Sequence, residues 1–369
     1  MEQPVKTDAL PRLLFIICRS DVGGETRHLY DLCLELKEKH PESYFAIAAP
    51  DEIPFAQKFK ELTPDYFVLP KKTFSPWHFL KLWQFSRLHQ IELIHSHGRE
   101  AGVYSRLLRL FCYKVLHTFH GIHITLSFYG AYKYILGRLL APLAYRYICV
   151  SPDEKAKALR FKLASEKKIV MINNGINLAH IDERCTLRQP DGSFVLGTLT
   201  RFDTHKGLDL ELQTFASFFK TYPNAKVRLK IAGSGDEWDE IFKLRQELKL
   251  EDKVELLGEI HNPIEFLSTL DCYVSFSKGE GLPLAVLEAM ACSLPCLLSN
   301  VTGHRALVDK NCGLLFNLGD EHEFFSQLLA IKENRIIAQE MGKASRVKIE
   351  RHFTKDKMVR ETFNLYKKF

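Results

Sequence analysis

Residues 278–300 read Lys278-Gly-Glu280-Gly-Leu-Pro283-Leu-Ala-Val-Leu-Glu288-Ala-Met-Ala-Cys-Ser-Leu-Pro-Cys-Leu-Leu-Ser-Asn300. Two glutamates, Glu280 and Glu288, bracket the turn Gly281-Leu282-Pro283-Leu284, which runs into an Ala/Leu/Met-rich segment with the composition of a buried helix. Glu280 precedes the helix start, so a loop can project it into a cleft. Pro283 suits the first helical position, where its missing N–H costs nothing. The amides of the first turn, with the helix dipole behind them, make a site for a phosphate. Glu288 falls more than a turn inside, where a carboxylate can accept hydrogen bonds from two vicinal hydroxyls. A carboxylate for a sugar, amides for a diphosphate and a carboxylate for a ribose together describe a nucleotide-sugar. Two glutamates eight apart also occur on solvated surfaces, so the rest of the chain has to decide.

Outward from this stretch, short apolar runs alternate with longer amphipathic segments, the rhythm of a doubly wound α/β protein. Leu13–Cys18 reads as the first buried strand and Glu25–Lys39 as the helix after it. Further strands are expected at Tyr44–Ala48, Leu93–His95, Lys114–Thr118, Arg146–Val150 and Ile169–Ile172. A second set is expected at Phe194–Leu199, Arg228–Ala232, Val254–Leu257, Cys272–Phe276, Pro295–Ser299 and Gly313–Phe316. The polar stretch Asp182–Gly192, with the turn signal Gln189-Pro190-Asp191-Gly192, reads as the linker between them. With 369 residues, the chain is long enough for two domains.

Composition narrows the class. Hydrophobic content of 46% and charged content of 26% are those of an ordinary globular protein. Nine cysteines, an odd number with no CxxC pair, read as reduced core thiols of a cytoplasmic protein. Residues 1–11 lack the basic-then-apolar layout of a signal peptide, and no apolar run approaches the ~18 residues of a membrane span. The charge is uneven. Residues 1–189 hold 27 Lys and Arg against 19 Asp and Glu, and within 66–152 eleven basic residues face only Glu92 and Glu100. That stretch also carries Phe74, Trp77, Phe79, Trp83, Phe85, Phe128, Tyr129, Tyr132 and Tyr134. Cations interleaved with rings suit peripheral contact with an anionic membrane, with Lys71, Lys72, Lys81, Arg106, Arg109 and Lys133 on the headgroups and Trp77 or Trp83 as anchors. Nucleic acid is not expected, because no binding motif accompanies the charge.

Several strand-to-helix turns carry chemistry. Arg19-Ser-Asp-Val-Gly23-Gly24-Glu25-Thr26 follows the first strand, and a Gly-Gly pair there lets the backbone approach a ligand closely. It is not the GxGxxG dinucleotide fingerprint, which argues against an NAD enzyme. His117-Thr-Phe-His120-Gly121 follows another strand, with His95, His97 and His123 nearby in sequence, so a metal cluster has to be weighed; no helical HExxH occurs. Leu196-Gly-Thr-Leu-Thr200-Arg201-Phe-Asp-Thr-His-Lys206-Gly207 places an arginine and a lysine after the first strand of the second half, where a planar fork and a mobile ammonium can clamp a diphosphate.

Taken together, these segments resemble the retaining glycosyltransferases of family 4, with their Glu-x7-Glu signature, Gly-Arg…Lys-Gly motif, Thr-x-His-Gly segment and first-loop Gly-Gly. The resemblance covers nearly the whole chain and is strongest from about 194 to 318. It implies a GT-B fold: two Rossmann-like domains facing a central cleft, here 1–185 for the acceptor and 192–351 for the nucleotide-sugar. The C-terminal segment 352–369 would cross back onto the first domain. It implies catalytic roles for Glu280, His120, Arg201 and Lys206. Donor contacts would come from Gly23, Gly24, Arg201, Lys206, Glu259, Ile260, Glu280, Gly281, Leu282, Pro283, Leu284 and Glu288. No cofactor and no metal are implied. Asn173-Asn-Gly-Ile-Asn177 resembles the family's turn before the interdomain linker. Three departures stand out: Thr200 and Ser293 replace glycines, and Ala306 replaces the Glu of a downstream Gly-Gly-x-x-Glu motif. The expected partners are a nucleotide-sugar, with a UDP-sugar favoured, and a lipid-linked or cell-envelope glycan acceptor at the inner face of the membrane. A glucan-synthase-type enzyme on a soluble glucan and a non-catalytic sugar-binding protein are the alternatives.

Overall fold

The computed structural model describes residues 10–21, 23–122, 128–185 and 192–369, with the backbone alone for 128–131 and 133. The expected turn at 189–191, His123, and the side chains of Phe128, Tyr129 and Lys133 lie outside the described residues.

The chain forms two compact units, Met1–Asn174 with Asp356–Phe369, and Gly175–Lys355. The first is built on seven strands, β1 Leu13–Ile17, β2 Phe45–Ala49, β3 Tyr66–Val68, β4 Leu93–His97, β5 Lys114–Thr118, β6 Arg146–Cys149 and β7 Ile169–Met171. Their order is β3-β2-β1-β4-β5-β6-β7, with every pairing parallel. The second has six: β8 Phe194–Leu199, β9 Val227–Ala232, β10 Val254–Gly258, β11 Cys272–Ser275, β12 Cys296–Ser299 and β13 Gly313–Phe316. These run in the order β10-β9-β8-β11-β12-β13, again all parallel.

Parallel sheets are covered on both faces by their crossover helices, so central strands are apolar throughout rather than alternating. β1, β2, β4, β11 and β12 are buried along their whole length, which is why they were legible as short apolar runs. Three of the expected strands, Lys114–Thr118, Phe194–Leu199 and Gly313–Phe316, have the observed bounds, and the others differ by one or two residues. β3 was not expected: its three residues are only partly buried on the sheet edge, too short to leave a pattern.

In both sheets the strand order reverses beside the first strand, between β1 and β4 and between β8 and β11. Chain leaving these strands diverges to opposite faces and opens a crevice at their carboxyl ends. The Gly-Gly turn, Arg201 and Glu280 follow β1, β8 and β11, and His97 is the last residue of β4. The C-terminal helix Lys355–Tyr366 packs Met358, Val359, Phe363, Leu365 and Tyr366 into the core under β1 and β2, and the Tyr366 hydroxyl pairs with His95 Nδ1 at 2.6 Å. All nine cysteines are free; Cys112 is exposed and Cys185 half-buried, and the other seven are core residues as expected.

Candidate active site

In the second unit, the loop after β8 turns through a single 3-10 turn, Thr204–Lys206, into the helix Leu208–Thr221. The carboxylate of Asp203 accepts from the His205 amide at 3.1 Å, and its carbonyl accepts from the Lys206 amide at 2.8 Å. Gly207 follows at φ 67°, with its Cα so close to β11 that a Cβ would lie 2.3 Å from the Phe276 carbonyl oxygen. Only glycine fits there, and the turn thereby aims Lys206 at the loop after β11.

That loop carries Glu280. Lys206 Nζ donates to Glu280 Oε1 at 2.6 Å, and Ser277 Oγ donates to the same oxygen at 2.7 Å. The Glu280 amide donates to the Thr302 carbonyl at 3.1 Å. A Cβ on Gly303 would lie 2.5 Å from the Gly281 carbonyl oxygen, so this glycine lets the two loops close on each other. Beneath them, Ser299 Oγ donates to the Ser277 carbonyl at 2.6 Å, and buried His304 sets Nδ1 2.9 Å from the Ser299 carbonyl. Among the described residues His304 Nε2 has no hydrogen-bond partner. Burial, the largest influence on Glu280, pushes its pKa up. The charges of Lys206 and His304, with the two hydrogen bonds, outweigh it and hold the carboxyl at about 2.

The helix after this loop is Leu284–Ala291. Pro283 is therefore not the first helical residue: its ψ of 124° is extended, which makes it the residue that precedes the helix. The first i to i−4 bond runs from the Leu287 amide to the Pro283 carbonyl. The amides of Leu284, Ala285 and Val286 thus face out of the helix start. Val286, Leu287, Ala289 and Met290 are buried, and Glu288 is half-buried. Ser293, after the helix, adopts φ 58°, the left-handed conformation that glycine takes more easily. Glu259 and Ile260 directly follow β10, exposed and half-buried respectively. Arg201 does not join the Lys206–Glu280 pair; its guanidinium lies 3.2 Å from Asp203 on a more exposed shoulder.

In the first unit, Gly23 and Gly24 open the helix Gly24–Lys39, and among the described residues nothing lies within 4 Å of a Cβ placed on Gly23, so none of them covers the backbone there. His120 follows β5. Its Nε2 pairs with His97 Nδ1 at 3.1 Å, and its ring meets His28 edge-on at 4.9 Å. Burial holds all three imidazoles below their ordinary pKa, His28 at about 4, so they are neutral near pH 7. Ligand atoms of His28, His97 and His120 lie within 4.8 Å of one another, close enough to share a metal ion after small rotations. His95 and His117 are committed elsewhere, to Tyr366 and Thr118 and to Ser96.

Glu154, not singled out from sequence, holds this loop. Its carboxylate accepts from the Gly121 amide at 2.7 Å and the Val150 amide at 2.8 Å, while Ser151 Oγ accepts from its own amide at 3.1 Å. Ser151-Pro152-Asp153-Glu154 has the sequence pattern of a capping box, a signal the sequence did carry, although the carboxylate takes the Val150 amide and not that of the N-cap Ser151. Ser277, His28 and His304 were also missed: His28 meets only residues distant in sequence, while Ser277 and His304 act on Glu280 and Ser299, three and five residues away, through loop geometry that no sequence motif marks.

The family model for glycosyl transferases group 1 matches residues 182–348, and that for glycosyltransferase family 4 matches 22–180. The chain belongs to the family 4 glycosyltransferases. Among relatives, this glycosyltransferase is 25% identical over 78% of its length, and 78% of the other chain, to an Escherichia coli UDP-Gal:alpha-D-GlcNAc-diphosphoundecaprenol alpha-1,3-galactosyltransferase. It is 27% identical over 76% of its length to the E. coli O-antigen biosynthesis glycosyltransferase WclY, of which it covers 80%. Its fold is that of Anabaena HepE in complex with UDP and glucose, with a TM-score of 0.80, 17% identity, and coverage of 97% of this chain and 100% of the other. The two Rossmann-like units are thus those of a GT-B enzyme.

For the glycosyltransferase's basic, aromatic stretch the structure corrects part of the expectation. Arg106 is buried, so it cannot meet a headgroup. Trp83 packs against the core and Phe111, because its helix face turns inward. Trp77 is 63% exposed, with Lys81 Nζ 4.9 Å from its ring centroid. No helix among the described residues is long and apolar enough to cross a membrane.

Proposed function

We propose that the protein is a retaining, metal-independent glycosyltransferase that moves a sugar from a UDP-sugar to a lipid-linked or cell-envelope glycan. The observation that carries this is the Lys206–Glu280 ion pair set directly before the helix Leu284–Ala291. In this reading the amides of that helix start, with Arg201 and Lys206, take the diphosphate and stabilise the negative charge as it leaves. Glu288 holds the ribose hydroxyls. Glu280, kept ionised, accepts from a hydroxyl of the donor sugar, and the Gly23-Gly24 turn and His120 orient the sugar from the first unit. The base is read by backbone at Glu259 and Ile260. The acceptor hydroxyl attacks the anomeric carbon on the face the diphosphate leaves, and the departing phosphate oxygen takes its proton, so configuration is retained. Support for the donor and acceptor classes comes from HepE, crystallised with UDP and glucose, and from the galactosyltransferase named for a diphosphoundecaprenol-linked sugar.

The second part of the proposal is peripheral membrane contact on the cytoplasmic side through the helix Pro76–Leu88 and the neighbouring 3-10 turn Arg109–Phe111. Trp77, Leu80, Leu110 and Phe111 are exposed there, and Phe111 touches Phe79 and Trp83. A thermal-shift panel of UDP-, GDP- and ADP-sugars tests the donor. A ligand at ~100 times its dissociation constant stabilises by roughly 2.7 kcal/mol. Selective stabilisation by UDP-sugars, followed by a product with the donor's anomeric configuration by NMR, is the expected result. An inverted product, or no response to any UDP-sugar, would contradict it.

A further inference from the structure

We infer that the cavity beside His120 is an anion subsite for the phosphate group of a glycosyl-phosphate acceptor, a step that rests on the glycosyl-transfer reading above. The cavity measures about 300 Å³ and lies wholly in the first unit, at the carboxyl ends of β1, β4 and β5. Around it stand Arg19, Lys72, Arg99 and Arg106 against Glu25 and Glu100. Arg106 is the decisive residue. It is 3% exposed, and its guanidinium donates to the main-chain oxygens of Gly102 (Nε, 2.6 Å) and Gly137 (Nη1, 3.2 Å) and hydrogen-bonds the Tyr147 side chain. Among the described residues it has no carboxylate partner. A guanidinium stays protonated even when buried, and carbonyl dipoles compensate a buried charge less well than an anion does.

Lys72 points the same way. It adopts φ 51°, a conformation in which glycine or asparagine is the ordinary choice, and its amide donates to the Cys18 carbonyl at 2.9 Å. Lys72, exposed and at this strained position, is one of the residues that line the cavity, and it has no acidic partner among the described residues. Of the two carboxylates, Glu25 lies over Gly98, where a Cβ would sit 2.1 Å from its Oε1. It therefore faces the start of the helix Arg99–Leu108 and answers that helix's dipole rather than Arg106. Cations converging on an enclosed space match a phosphate, which offers several acceptor oxygens to donors from different directions. A flat lipid surface would need the same charges turned outward, and Arg106 is not.

The test is calorimetry with inorganic pyrophosphate while saturating UDP occupies the donor site, on the full chain and on Lys72→Ala and Arg106→Gln. Saturable binding is expected, weakened roughly tenfold or more by either substitution, the scale of a charged hydrogen bond. Should Arg106→Gln fail to fold, Arg19→Ala combined with Lys72→Ala takes its place. No binding with UDP present, or binding unchanged in every variant, overturns the subsite. Transfer assays with one acceptor sugar presented as its 1-phosphate and as its methyl glycoside give a second readout. The phosphate form should have the lower KM, and that preference should vanish in Lys72→Ala; equal KM values for the two forms count against the proposal. Pyrophosphate binding without any sugar transfer would instead sink the transferase reading and leave the anion site standing.

Discussion

Lys206 Nζ lies 2.6 Å from Glu280 Oε1, joining the loop after the first strand of the second unit to the loop that precedes the helix Leu284–Ala291. The contact ties a buried carboxylate to its ammonium partner, so a change at either residue is felt at both.

Replacing Lys206 with methionine should lower turnover ~10²–10³-fold, the scale for removing a donor aimed at developing charge. It should also let the Glu280 pKa rise from about 2, since burial is then less opposed. The sign follows from linkage. The folded value is depressed, so the pair's contribution to stability is present above the ordinary carboxylate range and is lost as pH falls towards 2. Urea unfolding read at Trp238, in the second unit, should show wild type and Lys206→Met well separated at pH 7 and closer together at pH 3. A constant separation would mean that the pair does not control this carboxylate.

Glu280 and Glu288 should separate by ligand. Glu288→Ala weakens UDP and UDP-sugar alike, because a ribose contact serves both. Glu280→Ala weakens the UDP-sugar and leaves UDP nearly unchanged. Calorimetry with both ligands on both variants decides, and the same pattern for the two would show that the roles are misassigned.

The first unit should lose stability in mild acid. Burial lowers the pKa of His28, His95, His97, His117 and His120 in the folded state. As pH falls below ~6.5 the unfolded chain takes up protons that the native state refuses, at up to ~1.4 kcal/mol per pH unit for each group. Unfolding followed at Trp77 and Trp83, in a Trp238→Phe background, should shift to lower urea between pH 7 and pH 5. His97→Gln should reduce that shift, and a midpoint independent of pH would refute the argument.

Membrane contact should be salt-sensitive. Each basic side chain near an anionic surface contributes ~1 kcal/mol, decaying within a Debye length. Co-sedimentation with anionic vesicles at low salt should exceed that with neutral vesicles, and Trp77→Ser with Phe111→Ser should abolish the difference. Equal binding to both lipids would make this face an ordinary solvated surface.

The rhythm of strand and helix, the start of the helix at Leu284 to within a residue, and the placing of Glu280 before that helix and Glu288 within it could all be read directly from the chain. Those features are local: apolar periodicity, turn glycines and a proline at a helix entrance act over a few residues. β3 escaped because three partly exposed residues make no pattern. Pro283 was misplaced by one position because its fixed φ suits both the helix and the residue before it, and only ψ separates the two. Trp83 and Arg106 read as surface residues because composition does not say which way a helix faces.

Tertiary structure decided which distant residues meet. Lys206 and Glu280 are 74 positions apart, and the three imidazoles of His28, His97 and His120 come from separate crossovers. The C-terminal helix returns to the first sheet after the whole second unit has been traversed. Strand order in a parallel sheet is set by which crossovers pack on which face, a non-local choice made by the completed core. The sequence by itself supplied the candidate residues; the reversal of strand order beside β1 and β8 placed them at the carboxyl ends of the sheets.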